Sequence, residues 1–316
     1  MKNLALIFFT VYEEKKLKRI SLISIFRKLK KLFAFKINPV NIKKLEVDSS
    51  LAIHSVKLPY TIDEMKKAGR FTRNKINKCL LKVCKENSID KCIIPHDLPF
   101  LLDSCEKSDF TGKIVYTVMA VNILEHILKL KKLDIRDVDI AIIQGDNEVL
   151  PCIFIKLLSP IVKFITLVTM EKELIEKNFE EVCDETGLSV RITNDAASVL
   201  NSSDIVINYA DLKSYSLKKK VASNAIIINY GELDENQLGL ENEVINRIDI
   251  GLGSKYIDCF EDSLFKSYSF SEIAEIVLIN KTNFTINNAG DLTDYMIIDK
   301  LIKHFKEEGF YIKGYL

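Results

Sequence analysis

Residues 137–151 read DVDIAIIQGDNEVLP. The unbroken apolar run Val138–Gln144 predicts a strand covered on both faces, and Gly145 predicts a turn. A helix over Val149–Leu158 follows, with Pro151 suited to a first helical turn and Ser159–Pro160 to its stop. Downstream the alternation continues. Val162–Val168 reads as a strand, Glu171–Glu185 as a helix closed by Gly187, and Leu188–Thr193 as a strand. A short helix over Asp195–Leu200 precedes strands at Asp204–Tyr209 and Ala225–Tyr230. Apolar strands separated by helices, each crossover right-handed, give a doubly wound parallel sheet of the Rossmann type.

Upstream lies a smaller α/β domain. Its expected elements are strands at Asn3–Thr10 and Leu51–Leu58, a helix over Ile62–Asn87, and a strand at Lys91–Pro95. Lys113–Thr117 (KIVYT) reads as a further strand and Val121–Leu130 as a helix. Helices are expected over Ser271–Leu278 and Thr293–Glu308, then an apolar Phe310–Ile312. The expected domains are 1–132, completed by the closing helix 293–308 packing back on it, then 133–285, and a helical tail 286–316.

The chain has 316 residues, 47% hydrophobic and 28% charged, enough for two ordinary cores. No 18-residue uncharged apolar run spans a membrane, and no small-residue cleavage site follows the apolar start, so a cytoplasmic protein is expected. Seven cysteines without a Cys-x-x-Cys pair suit reduced thiols, most of them small buried hydrophobes. The net charge of +1 conceals a split. Residues 1–135 hold 27 Lys+Arg and 14 Asp+Glu, and residues 136–316 hold 18 and 30. The densest basic stretch, Lys15 to Lys36, reads as a surface helix with a solvated face, with an anionic carrier protein or membrane as the weaker alternative. Nucleic acid is disfavoured as a partner; a small-molecule ligand and self-association into a homo-oligomer remain open.

A dinucleotide-binding turn needs glycines so that backbone N–H groups and a helix N-terminus approach pyrophosphate. Gly145-Asp146-Asn147-Glu148 keeps only the first. Asp146 and Glu148 set negative charge against a diphosphate, a repulsion of about 1 kcal/mol at ~4 Å even in water. The second strand ends at Thr169, where Thr and the nearby Glu171 and Lys172 could meet a ribose or its phosphate. Asn208, Tyr209 and Gly231 end later strands, at the sheet edge where such folds bind ligands. Cofactor-binding candidates are therefore Gly145, Asp146, Asn147, Thr169, Asn208, Tyr209 and Gly231.

The order of features resembles the long-chain acyl-carrier-protein reductases and the related predicted amino acid dehydrogenases. These are similar to shikimate dehydrogenase and glutamyl-tRNA reductase in their nucleotide domain. The landmarks are Lys57-Leu58-Pro59-Tyr60-Thr61, Asp204–Asn208, Ala225–Gly231, Ser271–Leu278 and Glu308-Gly309-Phe310. The resemblance covers nearly the whole chain and implies an NADP- or NAD-dependent oxidoreductase on an acyl or amino-acid-type substrate. It also implies a Gly-Ala-Thr-Gly type turn, where Gly145–Glu148 stands, and a Gly-Asn segment, where Tyr116–Asn122 stands. The family's nucleophilic Cys falls at Glu272, and a carboxylate cannot form the thioester that hydride would reduce. Three altered motifs also admit a non-catalytic descendant, a scaffold or partner-binding protein that has lost the cofactor.

Other candidates are few. His96 beside Asp97 could serve acid–base work, though neighbours in a loop usually point apart. His54, His126 and His304 have no partner at metal-ligand spacing and read as structural, so no metal is expected. Glu272 stays a catalytic candidate on its aligned position alone.

Overall fold

The computed structural model describes residues 1–9, 41–95, 106–107, 110–145, 149–170, 184, 187–211, 221–231, 242–246, 248–282 and 295–315. The expected helix Glu171–Glu185, the His96–Asp97 loop, the Lys15–Lys36 stretch, Asp146 and Asn147 fall outside them, apart from Asp184. Two compact units emerge, one of residues 1–111 with 252–281 and one of 112–251 with 282–316.

The second unit holds six parallel strands: β6 (Ile140–Ile143), β7 (Phe164–Val168), β8 (Ser189–Thr193), β9 (Ile205–Asn208), β10 (Ile226–Asn229) and β11 (Glu243–Ile245). Their order across the sheet is β8-β7-β6-β9-β10-β11. The chain therefore winds outward from β6 in one direction and, after returning to β9, in the other. This is the doubly wound Rossmann arrangement that the sequence predicts. Every residue of β6, β9 and β10 is buried. That explains why these strands read as solid apolar runs instead of alternating. Ala141, Ile143, Val206 and Ile227 pack with Ala196, Val199 and Leu200 of a short helix on one face. Each buried valine, leucine or isoleucine among them is worth about 1.5–3 kcal/mol.

The first unit is a five-stranded sheet of order β2-β3-β1-β4-β5. Its strands are β1 (Lys2–Phe9), β2 (Asn41–Glu46), β3 (Leu51–Leu58), β4 (Lys91–Ile94) and β5 (Glu106–Lys107). Central β1 pairs parallel with β3 and β4, whereas edge strand β2 runs antiparallel to β3. Ala5, Ile7 and Phe9 alternate along β1 and meet Ile76, Leu80 and Val83 of α2 (Arg70–Glu86). Periods of two and of 3.6 thus converge on one core. Tyr268, fully buried, places its hydroxyl 2.9 Å from both Ile7 O and Ile93 O. It clips the ends of two neighbouring strands. Tyr268→Phe should therefore cost about 1–1.5 kcal/mol, read as a lower urea midpoint with an unchanged slope.

Two expectations are corrected. Lys113–Val118 is a helix (α3), not a strand. Gly112, at φ 80°, turns the chain into it, Tyr116 N–H reaches Gly112 O, and Thr117 Oγ1 donates to Lys113 O at 2.8 Å. Ile114 through Val118 are all buried, so no polar face reveals the helical period. The helix expected over Ile62–Asn87 is two, α1 (Ile62–Lys66) and α2, parted at Lys67–Gly69. Thr61 and Glu64 form a reciprocal capping box on the first. The closing helix α10 (Tyr295–Glu307) packs on α3, and both belong to the second unit, while 252–281 joins the first. In the second unit β13 (Tyr311–Tyr315) pairs antiparallel with β12 (Ile248–Gly251).

Candidate functional site

The strand order reverses between β6 and β9, so the carboxyl ends of these two strands flank the crevice where open α/β sheets receive ligands. Gly145 stands there, one residue past Gln144. An added Cβ would lie 2.2 Å from Tyr209 O and 2.8 Å from Tyr209 C. Its glycine is thus required by the backbone that leaves β9. Helix α5 (Val149–Leu158) is the next described element, which sets a helix N-terminus at this edge of the sheet.

Asn208 and Asn229 are register partners at the ends of β9 and β10. The Asn208 amide is wholly buried and donates to Asn229 Oδ1 at 2.7 Å and Ala210 O at 2.8 Å. Its Oδ1 accepts from Ala210 N at 3.2 Å, and Asn229 Nδ2 donates to Gly231 O at 3.2 Å. Each side chain folds onto the backbone two residues ahead, as Asn does in tight turns. Gly231 is hemmed in like Gly145, since a Cβ there would meet Ala210 O at 2.0 Å.

The tyrosines that follow pack together. Tyr209 and Tyr230 have ring centroids 5.2 Å apart, and Tyr116 of α3 stacks on Tyr230 at 5.6 Å. Tyr209 Oη lies 3.1 Å from Thr117 Oγ1. Burial raises the pKa of Tyr209, against the Thr117 hydrogen bond, and raises that of Tyr230 further with Tyr209 and Tyr116 nearby. Both phenols remain protonated at neutral pH. The residues ending β6, β7, β9 and β10 are Gln144, Thr169, Asn208, Tyr209, Asn229 and Tyr230. Every one of these side chains is an amide or a hydroxyl, able to orient a ligand and unable to exchange a proton near neutrality.

Of the sequence candidates, Gly145, Thr169, Asn208, Tyr209 and Gly231 come to the same sheet edge. Thr169 is buried after β7, its N–H on Thr193 O at 2.9 Å. Asp146, Asn147, His96 and Asp97 lie outside the described residues. Glu272 belongs to the first unit and caps its own helix, α9 (Phe270–Thr282). Its carboxylate accepts from Ser269 N at 2.6 Å while Ser269 Oγ accepts from Glu272 N at 3.2 Å. That is a capping box, and it accounts for the residue without chemistry. His54 is buried with Nε2 3.4 Å from Asn3 Oδ1, and His304 Nδ1 is 3.0 Å from Glu307. Sequence reasoning put Tyr209 and Tyr230 at this edge and missed Tyr116 and Thr117 of α3 as their neighbours. The signal for the first two was the doubled Asn-Tyr-small ending at 208–210 and 229–231.

Fold and strand-end crevice together define a Rossmann-type α/β unit. Among solved structures the chain is similar to shikimate 5-dehydrogenase from Listeria monocytogenes in complex with shikimate and NAD. The identity is 10%, over 87% of this chain and 96% of that chain, at a TM-score of 0.32. It is similar to ornithine carbamoyltransferase from Pyrococcus furiosus at 14% identity, over 77% and 75%, at 0.31. An alcohol dehydrogenase from Pyrobaculum aerophilum aligns at 15% identity over 43% of this chain and 39% of that chain, at 0.31. No protein-family model and no curated protein sequence matches the chain. No described helix is long and apolar enough to cross a membrane.

Proposed function

We propose that the second unit binds a nicotinamide dinucleotide, NADP or NAD, and that the protein is an oxidoreductase-like enzyme with an altered site. The reversal of strand order between β6 and β9, the place where open α/β sheets take a dinucleotide, carries this reading. The substrate would be of acyl or amino-acid type. Helix α5 offers the positive end of its dipole to a phosphate. Thr169 ends the strand beside β6, where a ribose is held in such folds. The nicotinamide supplies the hydride donor or acceptor; the chain's own amides and hydroxyls orient it. Asp146 and Glu148 oppose the diphosphate, so affinity should be weaker than that of a glycine-rich turn.

Titration of the full chain with NAD, NADH, NADP and NADPH tests this by calorimetry and melting temperature. A saturable shift is expected, approaching about 2.7 kcal/mol of stabilisation at one hundred times Kd. No shift with any of the four at millimolar concentration sinks the reading.

A second reading, a non-catalytic partner-binding descendant, is favoured by Glu272. The residue aligned with the family's nucleophile is occupied as a helix cap. No binding of any of the four dinucleotides and no turnover of acyl or amino-acid-type substrates would support it, and a dinucleotide bound against Gly145 would refute it. Turnover lost on changing a strand-end residue would overturn it.

A further inference from the structure

Cys84 and Cys92 bring their Sγ atoms to 3.0 Å in the first unit. The two residues are eight apart in sequence, on different elements, and local structure fixes both backbones. Cys84 lies in the last turns of α2. Asn87 N–H bonds to Val83 O, Ile89 N–H to Cys84 O at 2.8 Å and Ser88 N–H to Lys85 O, with Ser88 at φ 52°. These bonds close the helix in a Schellman turn that immobilises the Cys84 carbonyl. Cys92 is held in β4 opposite Ala5 of central β1. The turn between them is tied to β1 as well, Asp90 N–H to Asn3 O and Asn3 N–H to Asp90 Oδ2, both at 2.8 Å. The two sulfurs stand about 1 Å beyond the ~2.05 Å of a disulfide.

We propose that Cys84 and Cys92 form a reversible dithiol–disulfide site, oxidised by a hydroperoxide and reduced by a small thiol. This rests on geometry in the first unit and is independent of any nucleotide. Cys84, half-buried, is reached first, whereas Cys92 is only 4% exposed. The Cys84 thiolate attacks the peroxide oxygen, breaking O–O and releasing water or an alcohol, and leaves a sulfenic acid. The Cys92 thiolate then attacks Cys84 Sγ and displaces hydroxide, which takes up a proton as water. In total, two thiols lose two protons and two electrons, and the peroxide is reduced. The hydrogen bond between the two thiols, with burial, pushes the Cys84 pKa well up, so thiolate is scarce at neutral pH. Oxidation should therefore accelerate as pH rises.

The test treats the intact protein with hydrogen peroxide, alkylates remaining thiols and maps the peptides by mass spectrometry. The expected product is one crosslinked pair, residues 84 and 92, lighter by two hydrogens and restored by dithiothreitol. It forms unchanged in Cys79→Ser and is absent in Cys84→Ser. Full alkylation of both cysteines after peroxide, or Cys84 carried to sulfinic acid with Cys92 still free, overturns the proposal. The wild-type reading needs no variant to fold. Cys92→Ala adds a second check, since it should leave a trappable sulfenic acid on Cys84.

Discussion

Gly145→Ala and Gly231→Ala should each lower the stability of the second unit by about 3 kcal/mol, the upper part of the overpacking range. The clash in each case is with backbone. The added methyl would lie 2.2 Å from Tyr209 O in the first variant and 2.0 Å from Ala210 O in the second. That backbone has little room to retreat. Tyr209 N–H is bonded to Ile143 O, Tyr230 N–H and Gly231 N–H to Asn208 O, and Ala210 is gripped at both N and O by the Asn208 side chain. Gly314→Ala, on β13, is the contrast: nothing lies within 4 Å of where its methyl would stand. It should be neutral or stabilising, by up to about 1 kcal/mol, through reduced freedom of the unfolded chain. Hydrogen exchange of the β9 and β10 amides reads the difference, because it reports the second unit by itself. Equal protection in Gly231→Ala and Gly314→Ala would mean that the strand ends yield cheaply, and the crevice would not be the rigid edge described.

Much of the second unit was legible because its strands are buried on both faces. Ile140–Ile143, Ile205–Asn208 and Ile226–Asn229 carry their apolar runs without interruption. A turn or helix follows each, and handedness then leaves few ways to lay them side by side. The first unit was less legible at its margin. Asn41–Glu46 is an edge strand with lysines at 43 and 44 and a largely exposed face, a composition that guards edges and hides the strand from pattern reading. Lys113–Val118 failed for the opposite reason. Its β-branched Ile114, Val115 and Thr117 favour a strand, and burial on every side erased the helical stripe. Tertiary packing decided the outcome over propensity.

The site was half legible. Position along the sheet could be read from topology, and Gly145, Thr169, Asn208, Tyr209 and Gly231 lie together at the ends of its strands. What they do there could not be read, because it depends on partners far away in sequence. Thr117 and Tyr209 are 92 residues apart, and the Asn208–Asn229 bond joins two separate strands. Gly145 shows the difference most clearly. Its lack of a side chain is what a pyrophosphate turn needs, yet the atom that crowds it is Tyr209 O. A glycine that the fold itself demands says nothing by its presence about a ligand.

Asn208 should prove the most sensitive polar residue of the second unit. Replacing it with alanine strands Ala210 N–H, Ala210 O and Asn229 Oδ1 away from water, a loss of about 2–3 kcal/mol. Asn229→Ala removes fewer bonds and should cost less. The double variant should fall short of the sum by about 1 kcal/mol, since one bond is shared. Asn208→Asp separates hydrogen bonding from packing, because the shape is kept and a donor is lost. Its carboxylate would face Asn229 Oδ1 and Ala210 O in a buried site, which disfavours the charged form and raises its pKa in the folded state. A carboxyl with a raised folded pKa is most favourable to folding when protonated. Asn208→Asp should therefore gain stability relative to wild type as pH falls from neutral towards about 4, and lose it again as pH rises. Urea midpoints at pH 7.5 and pH 5 decide the matter. A midpoint difference from wild type that does not change between those two values would mean the Asn208 amide is not a donor to Asn229, and the paired strand ends would need another explanation.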